Sequence, residues 1–282
     1  MNSRKLIGII GGVGPLAGLD LAAKIVANSK AVRDQEHLPF ILASLPELIP
    51  DRTSYLLEMA NNEGASGERL PWGPAEGLIE VLKKLAQSGA RLIAVPCNTA
   101  HAEPIFAPLR AEAERLGLEL VNMLEETAAY LAHLGPGKKV AVLSTLGTYQ
   151  SGVYDDYLDR AGIERFDPGL EVLNKVHEAI YHPEFGIKSR PDRDFSRARE
   201  QLAGVLEVCR QGGANLAVLG CTELPLVFEG EEAAGLRLVD PTNILARALI
   251  HRASPGRLAE RSGVRTDQRR PPGGSEAPEG AA

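Results

Sequence analysis

Only three cysteines occur in the 282 residues, an odd number with no close pairing, which argues against a disulfide framework and fits a reducing compartment; the expected location is cytoplasmic. No stretch approaches the ~20 continuous apolar residues that span a bilayer, so no membrane association is expected. Positive charge is not in excess either: 31 Lys and Arg against 37 Asp and Glu leave a formal net charge of −6, with the signs mixed along the chain. Without a basic stripe to neutralise phosphates, nucleic acid is not an expected partner. His177, His182, Asp192 and Asp194 lack a ligand spacing, and no metal is expected. The opening MNSRKLIGIIGGVGPLAGLDLA has its apolar run broken by glycines and a proline, which reads as a strand and loop rather than a secretory signal.

What is present is a 44% hydrophobic, 24% charged chain, enough for one or two cored domains. Short apolar runs alternate with longer stretches of helical period, the pattern of an α/β protein with a parallel sheet covered on both faces. Strands are predicted at Leu6 to Ile10, Phe40 to Leu45, Leu92 to Val95, Glu119 to Val121, Val140 to Leu143, Leu216 to Leu219 and Leu236 to Val239. Helical patterns fill Leu16 to Lys30, Pro74 to Ser88, Ile105 to Leu116, Leu124 to Leu134, Tyr149 to Ala161, Arg193 to Gln211 and Ile244 to Arg252. From Ser254 the composition turns to Arg, Pro, Gly, Ser and Glu, and residues 253–282 are expected to form a disordered tail.

Two internal similarities organise the chain. KLIGIIGGVG opens the first half and KKVAVLSTLGTYQSG the second; later, GARLIAVPCNTA answers GANLAVLGCTEL. Two lobes built on one plan follow, each an open parallel sheet flanked by helices. Residues 1–121 together with 240–252 are assigned to the first lobe and residues 122–239 to the second.

Cys97 and Cys221 both stand just beyond the carboxyl end of a predicted strand, where ligands of open parallel sheets gather. The amides of a following helix would favour a thiolate and an anionic ligand group there. Asn98, Thr99 and Thr222 add short hydrogen-bonding side chains beside each sulfur. A free cysteine titrates at about 8.5, so a modest downward shift leaves usable thiolate at neutral pH. The ordinary fate of a free cysteine is to be a small buried hydrophobe, and Cys209 in GVLEVCRQGG is read that way. Core burial does not ask for two cysteines in matching polar contexts at matching strand ends. His101, one helical turn beyond Cys97, could orient the site or be structural.

Five motifs in order, GGVGP at 11–15, PDRTSYLL at 50–57, VPCNTAH at 95–101, AIYHPEFGIK at 179–188 and LGCTEL at 219–224, together resemble the aspartate/glutamate racemase family of cofactor-independent two-cysteine enzymes. The match runs to about residue 250. The resemblance implies an active site in the cleft between the lobes, no pyridoxal phosphate, no metal, and a homodimer. It implies that one cysteine removes the α-proton and the other delivers one, the roles exchanging with direction. It further implies that Arg52 and Lys188 hold the substrate's side-chain carboxylate, while Asn98, Thr99 and Thr222, with Thr145 in addition, hold the α-carboxylate and amine; the substrate is then a small acidic amino acid, aspartate or glutamate. Val13 stands where methionine is common, and Ala17-Gly18 where a hydroxyl residue often follows alanine, so that wall of the pocket departs from the pattern. GCTELP in place of GCTHYP disfavours the cell-wall glutamate racemases.

Other functions compete. Gly12-Val13-Gly14-Pro15-Leu16-Ala17 matches the G-x-G-x-x-A dinucleotide fingerprint, but a proline opens the helix and the next strand, PFILASLP, lacks an acidic residue for a ribose. A two-lobed solute-binding protein would need no opposed thiols. A cis-trans isomerase or a decarboxylase of related fold would also place cysteine at these strand ends.

Overall fold

The computed structural model describes residues 5–62, 72–190, 192–228 and 230–260. The first half contains β1 (Ile7–Gly11), α1 (Pro15–Ala27), β2 (Phe40–Ser44), α2 (Arg52–Asn62), α3 (Pro74–Gln87), β3 (Leu92–Ala94), α4 (Glu103–Arg115), β4 (Glu119–Val121) and α5 (Met123–His133). Its strands form a parallel sheet in the order β2-β1-β3-β4, with Ile9 opposite both Leu42 and Ala94. Successive side chains point to opposite faces and both faces are covered, so these strands read as continuous apolar runs. Ile10, Ile93 and Val95 meet Leu78, Leu82 and Leu85 of α3 and Ile105 and Leu109 of α4 on one face. Ile7, Ile9, Leu92 and Ala94 point to the other.

The second half contains β5 (Lys139–Ser144), α6 (Leu146–Gln150), α7 (Asp155–Arg160), β6 (Glu164–Phe166), α8 (Leu170–Tyr181), α9 (Ser196–Gln211), β7 (Leu216–Gly220), β8 (Glu232–Ala233), β9 (Leu236–Val239) and α10 (Pro241–Ala253). Its sheet runs β6-β5-β7-β9, all parallel, with β8 added antiparallel at the edge. Strand order in the two sheets therefore matches: β1 corresponds to β5, and β3, before Cys97, corresponds to β7, before Cys221. Ala141, Leu143, Ala217 and Leu219 face Val176 and Ile180 of α8 and Leu202, Leu206 and Cys209 of α9. Val140, Leu216 and Val218 face Leu124, Leu131 and Leu158, in an apolar cluster continuous with that under the first sheet.

The last helix does not stay with the sheet it follows. Leu245 and Leu249 of α10 cover Ile7, Ile9 and Leu92 beside Leu21 and Ile25 of α1, and α10 also packs along α5. The expected disordered tail begins too early. Ala253 is the last residue of α10, and the residues after it turn back to lie antiparallel to the end of α1: Lys30 N–H donates to Arg257 O (2.7 Å) and Ala259 N–H to Asn28 O (2.8 Å). Leu258 packs on the α1 and α10 core, which offsets the cost of ordering that the composition suggested. Residues 261–282 of that expectation lie outside the described residues.

The single helix expected over Tyr149 to Ala161 is two short ones. Gly152, at φ +58°, adopts the left-handed conformation between them. β6 escaped the apolar reading because Glu164-Arg165-Phe166 is an edge strand with a largely solvent-facing, polar sequence. α8 carries a legible stripe, Leu173, Val176, Ala179 and Ile180, that the strand and helix reading passed over.

Candidate active site

Cys97 follows β3 in a tight turn, its N–H donating to Val95 O (2.9 Å), and Cys221 follows directly on Gly220, the last residue of β7. No long helix starts at either sulfur, contrary to expectation: a 3₁₀ turn of Thr99–His101 precedes α4, and one of Leu224–Leu226 follows Cys221. Helix-dipole stabilisation of a thiolate is thus minor here, and side chains set the electrostatics. His101 proves structural. Its Nδ1–H donates to Cys97 O (2.8 Å), its Nε2 accepts from Met123 N–H (3.3 Å), and burial depresses its pKa to about 4. That neutral ring ties the cysteine turn to the start of α5.

One narrow cavity is lined by Cys97 and Cys221 together with Arg52, Asn98, Thr99, Thr145, Lys188 and Thr222, all eight residues that the sequence singled out. Wider clefts lie beside α6 and α7 and around Lys24, but neither contains a cysteine. Val13, Tyr181 and Glu223 complete the lining. Glu223 and Tyr181 lay inside quoted motifs without being assigned a role, because their importance depends on partners distant in sequence.

Arg52 opens α2 and is buried. Its guanidinium donates to Val13 O and, at 3.3 Å, to Pro50 O. Burial works against its charge, but neighbouring Cys97, Asp51 and Tyr181 raise its pKa overall. Its Nε and the Asn98 Nδ2 are buried donor atoms with no partner among the described residues, which leaves the Arg52 Nε–H and the Asn98 NH2 to donate to a ligand. Asn98 Oδ1 is fixed by the Tyr154 hydroxyl at 2.6 Å.

A ladder of hydroxyls joins the two halves. Thr53 donates to Thr145 (3.2 Å), Thr145 and Thr148 lie 3.2 Å apart, and Thr99 bridges to Thr148 (2.7 Å) and Thr145 (3.4 Å). Thr145 also caps α6 by accepting from Thr148 N–H.

Across the cavity, Lys188 Nζ pairs with Glu223 Oε1 and lies 5.6 Å from the centre of the Tyr181 ring. Glu223 Oε2 accepts from Cys221 Sγ (3.0 Å) and from Thr222 Oγ1 (3.4 Å). Burial opposes charge on both partners, yet the pair wins: Lys188 is pushed up and Glu223 is held below its ordinary value. Burial, then the Glu223 carboxylate, pushes the Cys221 thiol well up. Gly14, in the first glycine loop, approaches this pair so closely that a Cβ there would collide with Glu223 Oε1, which gives the third glycine of GGVGP a packing role unrelated to phosphate. Among the described residues, no group of three or more His, Cys, Asp or Glu side chains is arranged to hold a metal ion, and no helix is long and apolar enough to cross a membrane.

Comparison with known proteins finds racemases. Among curated proteins, the chain is similar to the broad specificity amino-acid racemase of Bacillus subtilis, 27% identical over 177 residues covering 62% of this chain and 70% of that one. It is similar also to the glutamate racemase of Geobacter metallireducens, 28% identical over 188 residues, 64% of this chain but only 63% of the relative's length. The solved structure of Picrophilus torridus aspartate racemase superposes with a TM-score of 0.71 at 28% identity, covering 91% of this chain and 96% of that one. The Asp/Glu/Hydantoin racemase family model matches residues 10–249, and the chain belongs to that family.

Proposed function

We propose that this protein interconverts the enantiomers of an acidic α-amino acid, aspartate or glutamate, without a cofactor, using Cys97 and Cys221 as its two bases. The observation that carries this reading is the convergence of the two cysteines, each from the end of the corresponding strand of its own sheet, on one cavity with Arg52 and Lys188. One sulfur, as thiolate, removes the α-proton; the other, as thiol, delivers its proton to the opposite face, so no electron is gained or lost and the thiols exchange protonation state. Asn98, Thr99 and Thr222 hold the α-carboxylate, Thr145 braces them, and Arg52 with Lys188 receives the side-chain carboxylate. Of the charged side chains lining the cavity, two are cationic and one is anionic. The working thiolate adds a second anion, so the preference for a substrate with two carboxylates rests on the placement of the two cations and not on a net charge of the site.

Chiral chromatography of a panel of amino acids and dicarboxylates, incubated with wild type and variants, tests the reading. Cys97→Ser and Cys221→Ser should each nearly abolish racemisation, while Cys209→Ser, in the α9 core, retains it. In deuterated water, deuterium should enter chiefly the inverted product early in turnover. Robust racemisation by the Cys97→Ser/Cys221→Ser double variant would end the two-base assignment.

A further inference from the structure

The geometry assigns Glu223 a role that neither its motif nor the family comparison supplies: it is a positioning residue that keeps the proton on Cys221 in the resting enzyme. This rests on the two-thiol reading above. An ionised carboxylate can only accept hydrogen bonds, so the 3.0 Å contact from Cys221 Sγ to Glu223 Oε2 is favourable only while sulfur carries its hydrogen. A thiolate there would set two anions side by side in a buried site, where like charges interact strongly. Protonating the carboxylate is no easy escape, because Lys188 holds Glu223 ionised from its other oxygen.

Every other titratable group facing the pair fits the same assignment. Tyr181, at the end of α8, and Tyr154, at the start of α7, are both pushed up, by burial first, and remain neutral hydroxyls. Arg52, from α2, adds a weaker attraction that also favours ionised Glu223. Cys97, in the same cavity, faces the Arg52 guanidinium instead of a carboxylate. The two thiols therefore sit in opposite electrostatic settings despite their matching strand-end positions. An enantiomer whose α-proton faces Cys97 finds an acid ready on the far side, whereas its mirror image requires Cys221 to lose its proton first. Because the equilibrium constant of racemisation is one, kcat/KM must be equal in both directions; the asymmetry therefore appears as compensating differences in kcat and KM.

Site-resolved alkylation of the full-length protein by iodoacetamide, followed by mass spectrometry across a pH series without substrate, tests this independently of turnover. Glu223→Gln removes the charge but keeps an acceptor, and should raise the Cys221 alkylation rate at neutral pH about tenfold or more, equivalent to a midpoint lowered by about one pH unit, with Cys97 unchanged. Glu223→Asp should restore much of the protection, and in Glu223→Gln the acidic limb of the kcat profile should move to lower pH for the enantiomer that Cys221 deprotonates. If Glu223→Gln does not fold, the wild type supplies a second test, since Cys221 beside the carboxylate should be alkylated more slowly at neutral pH than Cys97 beside Arg52, both cysteines being equally buried. Unaltered Cys221 reactivity in a folded Glu223→Gln protein, or a wild-type Cys221 that reacts faster than Cys97, overturns the assignment. A wild type that racemises nothing yet shows the shift would instead remove the racemase reading and leave the Glu223 assignment to Cys221 standing.

Discussion

The Lys188–Glu223 pair makes a quantitative prediction about stability. The two side chains are 24% and 6% exposed, so replacing Lys188 by Met strands a buried carboxylate. Removing one partner of a buried pair typically costs about 3–5 kcal/mol. Here there is a ceiling, since Glu223 can escape by taking up a proton. With an unperturbed glutamate near 4.3, protonation at pH 7 costs about 2.7 units at about 1.36 kcal/mol each, so the loss is limited to roughly 3–4 kcal/mol. At pH 5 the same ceiling is about 1 kcal/mol. The sign agrees with linkage in the wild type: Glu223 has a depressed folded pKa, so its contribution is present above the unfolded value and lost as pH falls through the folded one. Replacing both partners, Lys188→Met with Glu223→Leu, should recover most of that stability, because an apolar pair of similar volume has no uncompensated charge. Urea unfolding at the two pH values measures all three proteins. A single variant that loses under about 1 kcal/mol at pH 7, a loss independent of pH, or a double variant no more stable than the single would refute the reasoning.

Arg52→Ala should lower kcat/KM for aspartate or glutamate by roughly 2–4 kcal/mol, about 30- to 1,000-fold, and Arg52→Lys should recover only part because an ammonium lacks the planar fork; undiminished turnover of the acidic substrates in Arg52→Ala would remove Arg52 from substrate binding. His101, depressed to about 4 while an unfolded histidine titrates at 6.5, makes the unfolded chain bind the extra proton, so stability should fall as pH drops from 6.5 towards 4, and His101→Gln should flatten that slope in pH-dependent melting. Truncation after Ala253 removes the strand pairing to the end of α1 and the Leu258 contact, and should lower the melting temperature, whereas truncation after Glu260 should preserve both melting and turnover; equal melting of the two truncations would show that the bridge contributes nothing.

The features legible in the sequence are those that local pattern encodes. β4 and β9 lie at the predicted residues and the other five predicted strands are within a residue or two, because a strand buried on both faces leaves an apolar run, whereas the edge strands β6 and β8 leave none. Both cysteines and their polar neighbours were legible because the repeat placed them at equivalent strand ends. The obscured features depend on long-range partners. Glu223 carries no role in the sequence pattern, because its partner, Lys188, lies 35 residues earlier. Helix-dipole activation was expected from strand-then-helix grammar, but the short 3₁₀ turns after each cysteine carry too few aligned peptides to supply it. Residues 254–260 were misread because composition does not show that two backbone hydrogen bonds and one leucine await them on α1.

The return of α10 to the first sheet has a consequence for how the chain is made. The ribosome finishes β1 to β4 early, yet one apolar face of that sheet, Ile7, Ile9, Leu92 and Ala94, is covered in part by Leu245 and Leu249, which are synthesised near the end. During translation the first sheet cannot complete its own core and exposes that face until α10 has emerged, a window in which unpaired apolar surface invites self-association. Contacts of such long sequence separation also slow folding, and the first half should reach its native packing only after the second, reversing the usual order in which nascent domains mature.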